Sequence, residues 1–97
     1  MKLTKLLQDY LSSYDYKQLR DETKVQYKYF ANILMNTEVE GKALYLLDCD
    51  KITTRMAKTA YNEWCDRGIH LANHAISITR ILFNHGVREE LCQTNPF

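Results

Sequence analysis

The sequence predicts an all-α fold in a single domain. Its 97 residues are enough for one modest core and too few for a second. Only three glycines and one proline are present, and the proline is the second-last residue, so no helix breaker interrupts the interior of the chain. Apolar residues recur at steps of three and four over most of the length, which is the period of amphipathic helices.

Four helices are expected from this period, at about residues 3–14, 24–36, 53–67 and 71–87. The polar segment 15–22 breaks the period and is predicted to be a linker with Leu19 turned inward. Thr23 is predicted to cap the second helix, because its hydroxyl can accept a hydrogen bond from a free amide of the next turn. Gly68 is predicted to end the third helix in the left-handed conformation.

The sequence does not decide the secondary structure of the connection between the second and third helices. The apolar run 43–47 is too short for periodicity to decide between a brief helical turn and an extended segment. Four tyrosines lie on or beside the inner faces of the predicted helices and are expected in the core: Tyr10, Tyr14, Tyr27 and Tyr61.

The last predicted helix is the longest and has two unlike faces. The apolar stripe is expected to pack against the other helices and consists of Ala72, Ala75, Ile76, Thr79, Leu82, Phe83 and Val87. The opposite ridge has two guanidinium groups and no carboxylate, and consists of Asn73, Ser77, Arg80, Asn84 and Arg88. Residues 71–87 of a helix span about 25 Å, enough to lie along a DNA major groove about 12 Å wide.

The total charge of +1 does not by itself suggest a nucleic-acid partner. Its distribution is more informative, because three windows contain no carboxylate: residues 23–37, 51–62 and 67–88. The window 23–37 contains Lys24 and Lys28, and the window 51–62 contains Arg55 and Lys58. If the three windows converge in the fold, a nearly neutral chain presents a basic face, and these four cations are expected to contact DNA.

No enzymatic activity is expected from this chain alone, because it has no local signature of a catalytic nucleophile. His70 and His74 are four residues apart and could share a metal ion on one helix face. The chain lacks an HExxH motif and a patterned third ligand, so exposed polar residues are the favoured interpretation. We therefore predict no metal, no cofactor and no small-molecule substrate.

The spacing of the cysteines and the lack of long apolar stretches indicate a cytosolic location. Cys49, Cys65 and Cys92 are odd in number and widely spaced, which is typical of free thiols in a reducing environment. No stretch approaches the roughly 20 apolar residues of a membrane span, and the first ten residues lack the apolar run of a signal peptide. The expectation is a soluble protein of the cytosol with no membrane partner.

The polar ridge of the last helix has residue types suited to DNA. Arginine can fork onto guanine or onto a phosphate, asparagine onto adenine, and serine onto either. A solvated helix face is the ordinary alternative for such a ridge, and the same holds for the lysines and arginine of the other two windows.

The order of these signals is more specific than any one of them. A helix with Thr23 and Tyr27 is followed by Asp50, Ile52 and Thr53, and then by a helix that ends at Gly68. Residues 72–87 read ANHAISITRILFNHGV, and the last four read TNPF. Over nearly its whole length the chain resembles the core-binding, SAM-like domain of phage integrases of the tyrosine recombinase family.

The resemblance implies a four-helix SAM-like bundle that forms half of a clamp around double-stranded attachment-site DNA, in a parent protein that self-associates on DNA in the bacterial cytosol. The second and fourth helices would face the major groove. Lys24 and Lys28 would meet the DNA backbone, and four residues would approach the groove: Asn73, His74, Ser77 and Arg80. The family's catalytic residues lie beyond the Asn-Pro junction, outside residues 1–97, so none of the seven tyrosines is expected to be the nucleophile.

Two positions near the end of the last predicted helix differ from the rest of it. Gly86 stands where that family often has alanine, so we expect close helix packing there and a stability cost of up to ~1 kcal/mol relative to alanine. Arg88 is next to Glu89 and Glu90 and is discounted as a DNA contact.

A helical protein-interaction module with no DNA role is the alternative. It would use the first helix or the run 43–47 as its contact surface. It predicts that changes at Leu6 or Leu44 abolish partner binding while Arg80→Ala leaves binding intact, and the DNA hypothesis predicts the reverse.

Overall fold

The computed structural model describes all of residues 1–97 as five α-helices and one small hairpin. In chain order the elements are α1 (Leu3–Leu11), α2 (Tyr14–Lys17), α3 (Asp21–Asn36), β1 (Glu38–Val39), β2 (Lys42–Ala43), α4 (Thr54–Arg67) and α5 (Ile69–Arg88). Two short 3-10 turns, Leu44–Leu46 and Cys49–Lys51, connect β2 to α4. The predicted all-α class is thus confirmed in its main feature, and the two-stranded hairpin is an addition to it.

Helix α5 lies at the centre of the fold and packs against α1, α3 and α4. Its predicted apolar stripe is buried or half-buried with one exception, Val87, which is 39% exposed. At about 100° per residue, Val87 points about 140° away from the buried Leu82, so the prediction for Val87 was wrong. Ile78 and His85 are buried on the other border of the stripe.

The region between α1 and α3 is more helical than expected. Ser13 caps α2, because its hydroxyl accepts a hydrogen bond from the amide of Tyr16 at 3.3 Å. Helix α3 begins at Asp21 with Arg20 as its N-cap, so the prediction of Thr23 as the cap was wrong. Asp21 and the next residue place two carboxylates in the first turn, where they interact favourably with the helix dipole. Leu19 packs against the core, as predicted.

Because α1 ends early, the tyrosines that are buried differ from those expected. Tyr10 is buried and Tyr27 and Tyr61 are half-buried, as expected. Tyr14 is 76% exposed instead of buried, because α1 stops at Leu11 and Tyr14 opens a new helix. Tyr16 takes the inner position and packs edge-on against Tyr10, with ring centroids 5.6 Å apart.

A single residue, Gly68, joins α4 to α5. Its N–H donates to the carbonyls of Trp64 and Cys65 at 3.1 and 3.2 Å, and its own carbonyl accepts from the amide of Ala72 at 3.0 Å. The predicted position of the helix end is therefore confirmed, but the conformation is not left-handed helical: φ is 153° and ψ is 136°. Glycine suits this positive φ. Helix α5 begins at Ile69, two residues earlier than expected.

The hairpin was not predicted, because each of its strands is only two residues long. Val39 pairs with Lys42 across a two-residue loop. Both loop residues, Glu40 and Gly41, have positive φ, which is the pattern of a type I′ turn. The following run 43–47 contains a 3-10 turn whose Leu44 is fully buried, so the helical-turn alternative is the correct one.

The three cysteines are free, and two of them, Cys49 and Cys92, are buried. Desolvation raises the pKa of both buried thiols, that of Cys92 to about 11. They are thus kept in the neutral thiol form. None of the helices combines the length and the apolar character needed to cross a membrane.

Candidate nucleic-acid interface

A groove of about 390 Å³ lies between α4 and α5 and contains no acidic side chain. Three of the residues predicted to bind DNA line it: Lys58 from α4, and Asn73 and Arg80 from α5. The remaining lining residues are Thr54, Ala57, Tyr61, Ile76, Pro96 and Phe97. The fold therefore brings together two of the three acid-free windows.

Side chains at the floor of the groove orient Asn73. The Oδ1 atom of Asn73 accepts from the hydroxyl of Tyr61 at 3.4 Å, and its backbone carbonyl accepts from the hydroxyl of Ser77 at 2.9 Å. The neighbouring side chain of Cys65 raises the pKa of Tyr61 above its ordinary value. These contacts leave the amide NH₂ of Asn73 free to donate outward.

Arg80 is the central cation of the groove. Its Nε donates to the backbone oxygen of Phe97 at 3.0 Å, and no aspartate or glutamate is paired with its guanidinium. Lys58 and Arg55 also have no carboxylate partner. Arg55 is exposed and lies about 60° around α4 from Lys58, on the outer side of the groove. Three unpaired cations are thus available to an anionic partner on this side.

The two lysines of α3 do not reach this groove. Lys24 is half-buried beside α2: its Nζ lies 6.0 Å from the ring centroid of Tyr16, whose hydroxyl donates to the carbonyl of Lys24 at 3.1 Å. Lys28 is exposed one turn later on the same flank. Phe30, which touches α5, lies about 200° around α3 from Lys28. The first acid-free window therefore forms a separate surface.

His74 sits at the border between α5 and α3. Its ring stacks on that of Phe30, with centroids 5.3 Å apart and planes at 19°. The only cluster of three potential metal ligands in the structure is Asp48, Cys49 and Asp50, which does not include His70 or His74.

The end of the ridge away from the groove is already occupied. The guanidinium of Arg88 pairs with the carboxylate of Asp15 at 3.0 Å. This pair supports discounting Arg88 as a DNA contact, although the acid involved is Asp15 and not the neighbouring glutamates. One turn earlier, Oδ1 of Asn84 accepts from the side-chain amide of Asn95 at 3.0 Å.

The last residues of the chain complete the groove. The ring of Phe97 stacks on Trp64, with centroids 6.2 Å apart and planes at 9°, and also packs on Phe83 at 5.3 Å. From the sequence, Asn95 and Pro96 are expected only to end the chain in extended form, because a residue before proline is disfavoured in the helical region. An aromatic residue that follows Asn-Pro was the one signal that it packs on the bundle, and no periodicity extends to it.

Substitutions at Leu6 and Leu44 cannot test the alternative hypothesis of a protein-interaction module. Leu6 and Leu44 are fully buried in the core, so neither can contact a partner directly. The exposed apolar residues of that region are instead Tyr45 at 39% and Leu46 at 51%.

Comparisons of the chain with protein-family models, with curated proteins and with solved structures find no match.

Proposed function

We propose that this chain is a double-stranded DNA-binding module that contacts DNA through the groove between α4 and α5. One observation supports this most strongly: the fold gathers Lys58, Asn73 and Arg80 around a groove with no acidic side chain. The sequence resemblance extends the proposal to a SAM-like core-binding domain of a phage integrase of the tyrosine recombinase family, which would clamp attachment-site DNA for recombination.

The chemistry of the groove suits a phosphate backbone and base edges. Arg80 presents its Nη atoms without a competing aspartate or glutamate, and a guanidinium can fork onto two acceptors. The free amide NH₂ of Asn73 lies two turns before it on the same helix face. From Asn73 to Asn84 the exposed ridge of α5 is about 16 Å long, which fits along a major groove.

We expect weak binding by the isolated chain, because few cations are available. If Arg55, Lys58 and Arg80 each neutralise one phosphate, the logarithm of the binding constant falls with the logarithm of the salt concentration with a slope of about −3. A salt-independent interaction is incompatible with this proposal.

Fluorescence anisotropy of a labelled mixed-sequence duplex of about 30 base pairs, between about 20 and about 200 mM salt, tests the proposal. Arg80→Ala is expected to weaken binding by about 1 to 3 kcal/mol if Arg80 contacts a base, or to reduce the salt slope by about one if it contacts a phosphate. Arg67→Ala is the matched control, since Arg67 is exposed on α4 about 180° around from Lys58.

Two results would count against the proposal. One is the absence of binding to this duplex and to a randomised duplex pool at the lowest salt. The other is an equal effect of Arg80→Ala and Arg67→Ala, because binding would then depend on total charge and not on the groove.

A further inference from the structure

We infer that residues 93–97, here called the C-terminal strap, regulate the groove by competing with DNA for Arg80. The inference rests on the proposed function and adds an autoinhibitory contact to it. In the structure the backbone oxygen of Phe97 accepts the hydrogen bond of Arg80 Nε at 3.0 Å, which is where a phosphate oxygen would be held.

Polar contacts hold the strap on the exposed ridge of α5. Asn95 donates through its side-chain amide to Asn84 at 3.0 Å, one turn after the contact between Arg80 and Phe97. The Asn95 side chain also accepts from the amide of Phe97 at 2.9 Å, which fixes the turn of the strap. At its start, the amide of Gln93 donates to Asp50 at 2.9 Å. The strap thus covers two of the ridge residues that DNA would need.

An aromatic contact anchors the other side of the strap. Phe97 stacks on Trp64 and packs on Phe83, and together with Pro96 it forms one wall of the groove. The strap therefore lies beside Arg80, where a duplex bound to the guanidinium would contact it.

The chemistry of the two competitors makes the strap displaceable. The strap offers Arg80 a single backbone oxygen, that of Phe97, which occupies Nε alone. A duplex offers a row of phosphates that can contact Arg80, Lys58 and Arg55 together. The strap is thus expected to weaken DNA binding without preventing it.

Trp64 is the only tryptophan and reports the position of the strap, because Phe97 is stacked on it. The experiment titrates the full chain with the labelled mixed-sequence duplex. It records the anisotropy of the DNA and the quenching of Trp64 by acrylamide in the same samples. We expect quenching of Trp64 to increase in proportion to the fraction of protein bound.

Two variants separate the strap from the groove itself. Asn95→Ala removes the bonds to Asn84 and to the amide of Phe97, and is expected to tighten DNA binding by at least about 2- to 10-fold, the range that one hydrogen bond accounts for. Gln93→Ala is the matched control: only its backbone amide is bonded, so its affinity should equal that of the unmodified chain. Circular dichroism establishes that both variants remain folded.

Each outcome bears on the inference. If the duplex binds while Trp64 quenching is constant and Asn95→Ala has unchanged affinity, the strap is not a competitor, and the proposed DNA function remains. If Trp64 quenching increases with the bound fraction and Asn95→Ala binds more tightly than both the unmodified chain and Gln93→Ala, the autoinhibitory role is supported. If neither protein binds any duplex, the proposed function fails and the inference falls with it.

Discussion

The imidazole Nε2 of His85 lies 2.8 Å from a carboxylate oxygen of Asp9, which connects the end of α5 to α1 across 76 positions of sequence. The His85 ring is buried and packs edge-on against Tyr10, with centroids 5.3 Å apart. The other ring nitrogen, Nδ1, has no partner. The contact with Asp9 is therefore the only polar interaction of the His85 ring.

Removing this carboxylate is expected to destabilise the fold. Asp9→Ala should lower the free energy of unfolding by about 1 to 2 kcal/mol, because the buried imidazole loses its only partner. Asp15→Ala is the control: it removes an exposed pair with Arg88, which is worth about 0 to 1 kcal/mol. Urea denaturation compares the two, and an equal loss in both variants would show that burial of His85 gives its contact no added weight.

Two buried threonines are expected to respond to the same substitution with opposite signs. The hydroxyl of Thr37 accepts from the indole N–H of Trp64 at 2.9 Å, whereas the hydroxyl of Thr79 has no partner. Thr37→Val should cost about 1 to 3 kcal/mol because it orphans the indole, and Thr79→Val should stabilise by about 1 kcal/mol because it removes an unsatisfied hydroxyl.

Thermal denaturation of the two valine variants tests this pair of expectations. Thr79→Ser serves as the control, because it keeps the hydroxyl and loses the methyl group, and it should be less stable than the unmodified chain. A loss of stability in Thr79→Val would mean that its hydroxyl has a partner in solution.

Gly86 is in close contact with α1, as the sequence predicted. A Cβ atom built there would lie 2.6 Å from the Sγ of Cys92 and 2.8 Å from a methyl carbon of Leu6. Overpacking of this kind costs about 1 to 3 kcal/mol and alanine regains at most ~1 kcal/mol of helix propensity, so Gly86→Ala should be destabilising. Combining it with Leu6→Val, which shortens the side chain that it meets, should lower the additional cost of the alanine in a denaturation experiment. Strict additivity of the two changes would argue against the clash.

Stability is expected to fall in alkali. Burial is the main cause that raises the pKa of Tyr10 to about 12 from an ordinary value of 10.0. The unfolded chain then releases the phenolic proton at a lower pH than the folded chain, so the contribution of Tyr10 is complete below pH 10 and is lost as the pH rises toward 12.

The denaturation midpoint measured at about pH 9 and about pH 11 checks this expectation. Tyr10→Phe should show a smaller decrease between the two values than the unmodified chain. Tyr14→Phe, at an exposed tyrosine, should keep the original decrease. An identical decrease in all three proteins would remove Tyr10 as its cause.

The sequence predicted the parts of this fold that depend on long periodic segments. The apolar stripe of α5, the end of α4 at Gly68 and the close packing at Gly86 all follow from local pattern or from the lack of a side chain. The short elements were missed, since α2 has four residues and each strand has two, which is below the length at which a period is visible.

Individual residues of the candidate site could be predicted from the sequence, but which of them lie together in the fold could not. Arg80 and Lys58 were chosen because their windows lack carboxylates, and the groove brings them together. That Lys24 lies against Tyr16 of α2 could not be foreseen, because α2 itself was not recognised. The position of Phe97 over Trp64 depends on a tertiary contact with no local signal.

A two-dimensional amide NMR spectrum of the ¹⁵N-labelled chain, recorded as the mixed-sequence duplex is added at low salt, tests the central claim most directly. Our account expects the largest chemical-shift changes at the groove residues Thr54, Lys58, Tyr61, Asn73 and Arg80, and small changes along α1. Changes centred on α1 or on Tyr45 and Leu46, or a spectrum that the duplex does not alter, would contradict it.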